Sequence, residues 1–241
     1  MRVALFVTCL VDLMRPRIGF AAIELLEAAG CHVIVPAGQT CCGQPAWNSG
    51  DRVAAAALAK KVIAEFAGSE YVVAPSGSCA DHIRNEYPAI FADDTEWHAR
   101  AVELASRVYE LTDFLVNVAH LENLPGNFTG SVTYHDSCTG LRGMGIKAQP
   151  RALLAKAPGV ELKEMVAAEE CCGFGGTFSV KFGEISAAIA AKKCGNACAT
   201  GAQTIVGGDL GCLLNIEGKL RRLGDETTQV RHIAEVLTAK N

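Results

Sequence analysis

The sequence predicts an α/β protein made of two similar halves, each a small parallel sheet flanked by helices. Three observations carry this. Strand-like and helix-like segments alternate along the 241 residues, a pattern that calls for parallel strands joined by right-handed crossovers. A set of four cysteines occurs twice at a nearly constant offset. Half of the residues are hydrophobic, enough for the cores of two domains of about 120 residues each. The halves are placed at residues 1–125 and 126–241.

In the first half, VALFVTCL reads as a strand ending near Cys9, and RPRIGFAAIELLEAAG as an amphipathic helix closed by Gly30. CHVIVPAG is a second strand leading into CCG at 41–43. DRVAAAALAKKVIAEFAG is a helix with Ser49 or Asp51 as its N-cap. YVVAPSGSC is a third strand ending at Cys79. TEWHARAVELASRVYELTDFLVNVAHLENLPGN gives a long helix and a link near 121–130. The second half repeats the plan. SVTYHDSC is a strand ending at Cys138, QPRALLAKAPG a helix, and VELKEM leads to CCG at 171–173. EISAAIAAKKCGNACATG is a helix, and TIVGGDLGC a strand ending at Cys212.

The matched cysteines are Cys9, Cys41, Cys42 and Cys79 in one half and Cys138, Cys171, Cys172 and Cys212 in the other, at offsets of 129, 130, 130 and 133. All are placed at the carboxyl ends of strands or in the loops after them, the edge where open α/β sheets bind ligands. Wide sequence spacing thus becomes spatial convergence. Adjacent cysteines have Cα atoms about 3.8 Å apart, below the usual disulfide range of about 4.4–6.8 Å. With an odd total of 11 cysteines, metal or redox chemistry is the better reading. Four thiolates suit an iron–sulfur centre or zinc. Zinc sites usually draw on short CxxC knuckles, which are missing here. Vicinal cysteines sit more easily on two irons of one cluster, and Gly43, Gly173, Gly175 and Gly176 allow close backbone approach.

The doubled arrangement Cys–x31–32–CCG–x35–38–Cys resembles the cysteine-rich CCG-domain proteins, among them the catalytic subunit of heterodisulfide reductase and the iron–sulfur subunit of glycolate oxidase. LFVTCLVD, CCGQPAWNSG, YVVAPSGSC, YELTDFLVNV, CCGFGGTFSVKFGEIS, GCLLNIEGKL and HIAEVL are similar, in the same order and nearly end to end, to the lactate utilization protein A family. The resemblance implies two pseudo-symmetric CCG domains binding two [4Fe–4S] clusters through the eight matched cysteines. It also implies a subunit for oxidation of L-lactate to pyruvate, working with two companion subunits, one of them a ferredoxin-like iron–sulfur protein. The wider CCG pattern ends each half with CxxC. Here Ser76 and Asp209 stand at those positions, which counts against the non-cubane form; a cubane with four thiolates, a form with oxygen ligation by Ser76 or Asp209, and zinc or no metal in one half all remain compatible.

Other residues are read more plainly. Cys31 is a small core residue, and Cys194 and Cys198 share a buried helix face. His135, Asp136, Asp81 and His82 flank ligand cysteines, where they relay protons or hydrogen-bond the ligand loops. Arg15, Arg17 and Arg142 offset cluster charge or grip a carboxylate. Trp47 and Phe174 shield the sites from water. No nucleotide loop or nucleophile elbow occurs in its structural context. The net charge of −4 argues against nucleic acid, and no apolar run reaches the roughly 18 residues of a membrane helix. A cytoplasmic electron-transfer subunit is expected. The alternatives are a cluster-dependent thiol–disulfide reductase and a zinc-stabilised interaction module.

Overall fold

The computed structural model describes residues 1–240. The chain divides into two compact units, the first running Met1–Leu121 and the second beginning at Glu122.

The first unit contains β1 (Arg2–Leu5), α1 (Cys9–Met14), α2 (Arg17–Ala28), β2 (His32–Ile34), α3 (Gln44–Asn48), α4 (Arg52–Glu65), β3 (Tyr71–Ala74), α5 (Gly77–Asp81), α6 (Tyr87–Ile90), α7 (Thr95–Ala105), β4 (Val108–Glu110) and α8 (Leu111–Asp113). Wider π turns at His82–Glu86 and Phe114–Val118 continue α5 and α8. The strands form one parallel sheet in the order β2-β1-β3-β4. β1 and β3 are central and almost wholly buried, whereas β2 is an exposed edge. The apolar face of α2, formed by Ile18, Ala21, Ala22, Leu25 and Leu26, is buried at the helical spacing. Asp51 caps α4 by accepting the Ala54 N–H.

The second unit contains β5 (Gly130–His135), α9 (Cys138–Met144), α10 (Ala148–Ala155), β6 (Val160–Leu162), α11 (Thr177–Lys181), α12 (Gly183–Cys198), β7 (Thr204–Gly207), α13 (Leu210–Arg222), β8 (Gln229–His232) and α14 (Ile233–Thr238). Its parallel sheet has the order β6-β5-β7-β8, the same topology as the first. The alternation of strands and helices therefore produces the α/β repeat that the sequence predicts.

The sheets differ from expectation in two ways. Each has a fourth strand: β4 falls in the segment that the sequence reading gives to a helix and a link, and β8 in a stretch to which it gives no element. Both are only three or four residues long, too short for a period-2 pattern. Each then runs straight into a helix capped by its own last residue. Glu110 accepts the N–H groups of Thr112 and Asp113, and His232 accepts that of Ala234. The central strands also end earlier than expected. Cys9 and Cys138 open helices, and Cys79 and Cys212 are the third residues of theirs. The cysteines thus sit on the first helical turn after each strand, where backbone N–H groups lack intrahelical partners. Among the described residues no helix is long and apolar enough to cross a membrane.

Candidate metal centres

In each unit the chain leaves the first central strand toward one edge and returns to lay the next central strand on the other side. This reversal opens a crevice at the carboxyl ends of the two strands. In the first unit Cys9 follows β1 and Cys79 follows β3, and the CCG turn after β2 enters the same crevice. The four thiols form a chain of neighbours: Cys9 with Cys41, Cys41 with Cys42, Cys42 with Cys79. The second unit has the same order: Cys138 with Cys171, Cys171 with Cys172, Cys172 with Cys212. All eleven cysteines are free thiols. The structure thus brings together every matched cysteine of each repeat.

Backbone geometry serves the sulfurs directly. Gly43 N–H donates to Cys41 Sγ at 3.5 Å, Gly173 N–H to Cys171 Sγ at 3.3 Å and Phe174 N–H to Cys172 Sγ at 3.4 Å. Gly43 and Gly173 have φ of +90° and +87°, conformations that glycine adopts without penalty. Hydrogen bonds from Cys42 and Cys9 pull the Cys41 thiol far below its ordinary range and outweigh its partial burial. The same bonds push Cys9 and Cys42 upward, with burial adding to the shift. In the second unit Cys171 raises Cys138. At Cys172 the bond to Cys171 lowers, but Cys212 and burial together win and raise the thiol. Each set therefore crowds sulfurs that cannot all be ionised without a cation among them.

Two braces escaped the sequence reading. Tyr87, fully buried, donates its hydroxyl to the Cys42 carbonyl at 2.7 Å. Asn215 Nδ2 donates to the Cys172 carbonyl at 2.9 Å. They hold the second cysteine of each CCG turn from different sequence offsets, so no repeat comparison would find them. Ser76 caps α5 by accepting the Cys79 N–H and also pairs with Ser78 Oγ. Asp209 accepts the Ser137 hydroxyl at 2.7 Å. Both oxygens are engaged in fixing ligand loops.

The flanking residues divide by role. Asp136 is 1% exposed and makes a two-pronged ion pair with Arg151, at 2.8 and 3.0 Å. It is locked in structure. Asp81 accepts from Asn85. His82 and His135 are each 1% exposed, and neither ring nitrogen of either finds a hydrogen-bond partner. Burial holds both neutral, lowering His82 to about 4 and His135 to about 3, with the Lys193 charge adding to the effect at His135. Lys193, itself buried, donates to the carbonyls of Ala167 and Ala168 just before the second CCG turn. Trp47 donates to Glu86 and lies under the Arg52 guanidinium, 3.5 Å away. Phe174 lies against Gly211, where any side chain would overlap its ring. Arg142 is exposed and lines an open cleft of about 620 Å³ with Asp136, Lys147, Arg151, Glu164 and Glu169.

Cys31 and Cys194 are buried, as core residues should be. Cys198 departs from expectation. It is exposed and faces Asp225, whereas Cys194 donates to the Ile216 carbonyl. One turn at the end of α12 is enough to carry the chain out of the core.

The repeat has a counterpart among known proteins. Residues 3–84 and 132–217 each match the cysteine-rich CCG domain family. Over the full length, the chain is 49% identical to lactate utilization protein A of Geobacillus kaustophilus (strain HTA426), covering 100% of both. The chain belongs to the lactate utilization protein A family. A second member, lactate utilization protein A 2 of Bacillus cereus (strain Q1), is 46% identical over 237 residues, covering 98% of each chain. Among solved structures, a hypothetical protein from Helicobacter pylori superposes with a TM-score of 0.56 at 14% identity, covering 100% of this chain and 49% of that one. That likeness concerns the fold alone.

Proposed function

We propose that this chain is the iron–sulfur-binding, electron-transfer subunit of a multi-protein system that oxidises L-lactate to pyruvate. The observation that carries the reading is the doubled thiol chain at equivalent crevices. Four thiols crowd each crevice, and backbone N–H groups point at three of the CCG sulfurs. That donor set suits an iron–sulfur cluster. Cys9, Cys41, Cys42 and Cys79 would hold one cluster, and Cys138, Cys171, Cys172 and Cys212 the other. Such a cluster, when bound, accepts and releases single electrons. The protein's part is to supply thiolates, to fix the CCG turns through Tyr87 and Asn215, and to set the charge around each site. The lactate assignment rests on family membership, which covers the whole chain.

Neither unit has a nucleotide-binding loop, so two-electron hydride chemistry is assigned to companion subunits. The test combines the anaerobically purified chain with its companions and adds L-lactate. Partial bleaching of the cluster absorption in this chain is expected, with no lactate oxidation by the chain alone. Robust turnover by the isolated chain, or an unchanged spectrum in the complete mixture, would contradict the relay role. Cluster-dependent reduction of a disulfide substrate would favour the thiol–disulfide reductase instead.

A further inference from the structure

The two crevices are built alike in their cysteines but not in what lies beneath them. Three residues before Cys9 stands Phe6, fully buried with its ring centroid 5.5 Å from that of Phe66. Three residues before Cys138 stands His135, the last residue of β5. The matching position beneath the first crevice is therefore apolar. The floor of the second offers an imidazole.

That imidazole lies among the sulfurs. A ring nitrogen of His135 and the Sγ atoms of Cys172 and Cys212 all lie within 4.8 Å of one another, and all three residues are buried. Donors on a single tetrahedral ion such as zinc stand about 3.5–3.8 Å apart, given metal–sulfur and metal–nitrogen bonds of about 2.3 and 2.0 Å, whereas terminal donors on separate irons of a cluster stand farther apart. A small inward movement of the side chains would close the difference around one ion, and a small outward one would fit a cluster. No other such trio of donors occurs among the described residues. Both ring nitrogens are cut off from water and lack hydrogen-bond partners. Buried polar atoms are almost always satisfied, and an orphan of this kind asks for a missing partner. The Ala168 carbonyl lies beside the ring, where it accepts the Asp136 N–H at 3.2 Å. A backbone carbonyl there suits the remaining N–H of a metal-bound histidine.

The sequence supplies a reason for an extra donor. Where the wider CCG pattern places a fifth cysteine, the second unit has Asp209, which is occupied by the Ser137 hydroxyl. We infer that His135 is a nitrogen ligand of the metal centre in the second unit, joining Cys172 and Cys212, whereas the first unit has sulfur ligands only. This rests on the reading that the cysteine sets hold metal. It makes the two centres chemically unequal. His82, the buried histidine of the first unit, lies near Cys41 but belongs to no such trio and packs edge-on against Tyr87 at 5.5 Å.

The experiment uses protein purified without oxygen and labelled with ¹⁵N only at histidine. Metal content is read first. Pulsed EPR of the reduced protein should then show one strongly coupled ¹⁵N nucleus on one of two cluster signals. In His135→Phe, which copies the residue of the first unit, that coupling should vanish while the other signal is unchanged. Fully iron-loaded wild-type protein with no strongly coupled histidine nitrogen would overturn the inference without touching the iron–sulfur reading, and this needs no variant to fold. If the protein binds zinc instead, the iron–sulfur reading fails separately. Cobalt(II) replacing the zinc should then give a paramagnetically shifted imidazole resonance that is lost in His135→Phe, and its absence would overturn the inference.

Discussion

Replacing Gly173 by alanine probes how tightly the second CCG turn is held against its own helix. The residue has φ of +87°, where a side chain costs about 1–2 kcal/mol. A Cβ there would come within 2.5 Å of the Ser186 carbonyl oxygen and 3.3 Å of the Ala190 nitrogen. Both are backbone atoms of α12, so relief requires the turn or the helix to move. Overpacking of this kind adds about 1–3 kcal/mol. The matched change in the first unit differs. A Cβ on Gly43 meets Leu58 Cβ at 3.3 Å and the Ala55 carbonyl at 3.5 Å, a shift of a few tenths of an ångström rather than an overlap, so the conformational cost of about 1–2 kcal/mol dominates. Gly173→Ala should therefore destabilise its unit by about 2–5 kcal/mol and Gly43→Ala by about 1–2 kcal/mol. The assay is urea unfolding of both variants at matched metal content, read by circular dichroism. Equal losses, or a larger loss for Gly43→Ala, would refute the argument that backbone approach of α12 dictates the second glycine.

Other changes test neighbouring claims. Tyr87→Phe removes the buried hydroxyl that the Cys42 carbonyl accepts; a loss of about 1–2 kcal/mol is expected in the same unfolding assay, with faster metal release from the first unit. Arg151→Met leaves the buried Asp136 carboxylate without its partner, so stability should fall by about 3–5 kcal/mol. Asp225 accepts from the Thr227 and Thr228 backbone and from the Thr228 hydroxyl, which holds its carboxyl well below the usual range. Its contribution is therefore complete above the ordinary carboxyl range near pH 4 and is lost as the pH falls toward the folded value. The stability advantage of the wild type over Asp225→Asn should shrink steadily in a pH series carried downward from about 5.

The sequence is most legible where it repeats. The cysteine offsets locate both crevices and name every thiol that meets there, because ligands at the ends of parallel strands must recur at the period of the fold. The Ala-rich helices are visible through their composition, and β1, β2, β3, β5 and β7 as short apolar runs, whereas β6 is seen only as the approach to the second CCG turn. What escapes is short or unrepeated. Strands of three and four residues, β4 and β8, leave no period to detect. Tyr87 and Asn215 brace equivalent carbonyls from unequal offsets, so alignment of the halves hides both. His135 was visible as a neighbour of Cys138. Its closeness to Cys172 and Cys212 follows only from the pairing of β5 with β7 and the entry of the CCG turn above them.

An iron–sulfur cluster held by each thiol set would fix a definite metal content for the chain. The most direct measurement is iron, acid-labile sulfide and zinc per chain in protein purified and reconstituted without oxygen, together with the same analysis of Cys171→Ser. About eight iron and eight sulfide in the wild type, falling to about four of each in the variant, is the predicted result. About one or two zinc with little iron after reconstitution would contradict the account and leave an interaction module stabilised by zinc.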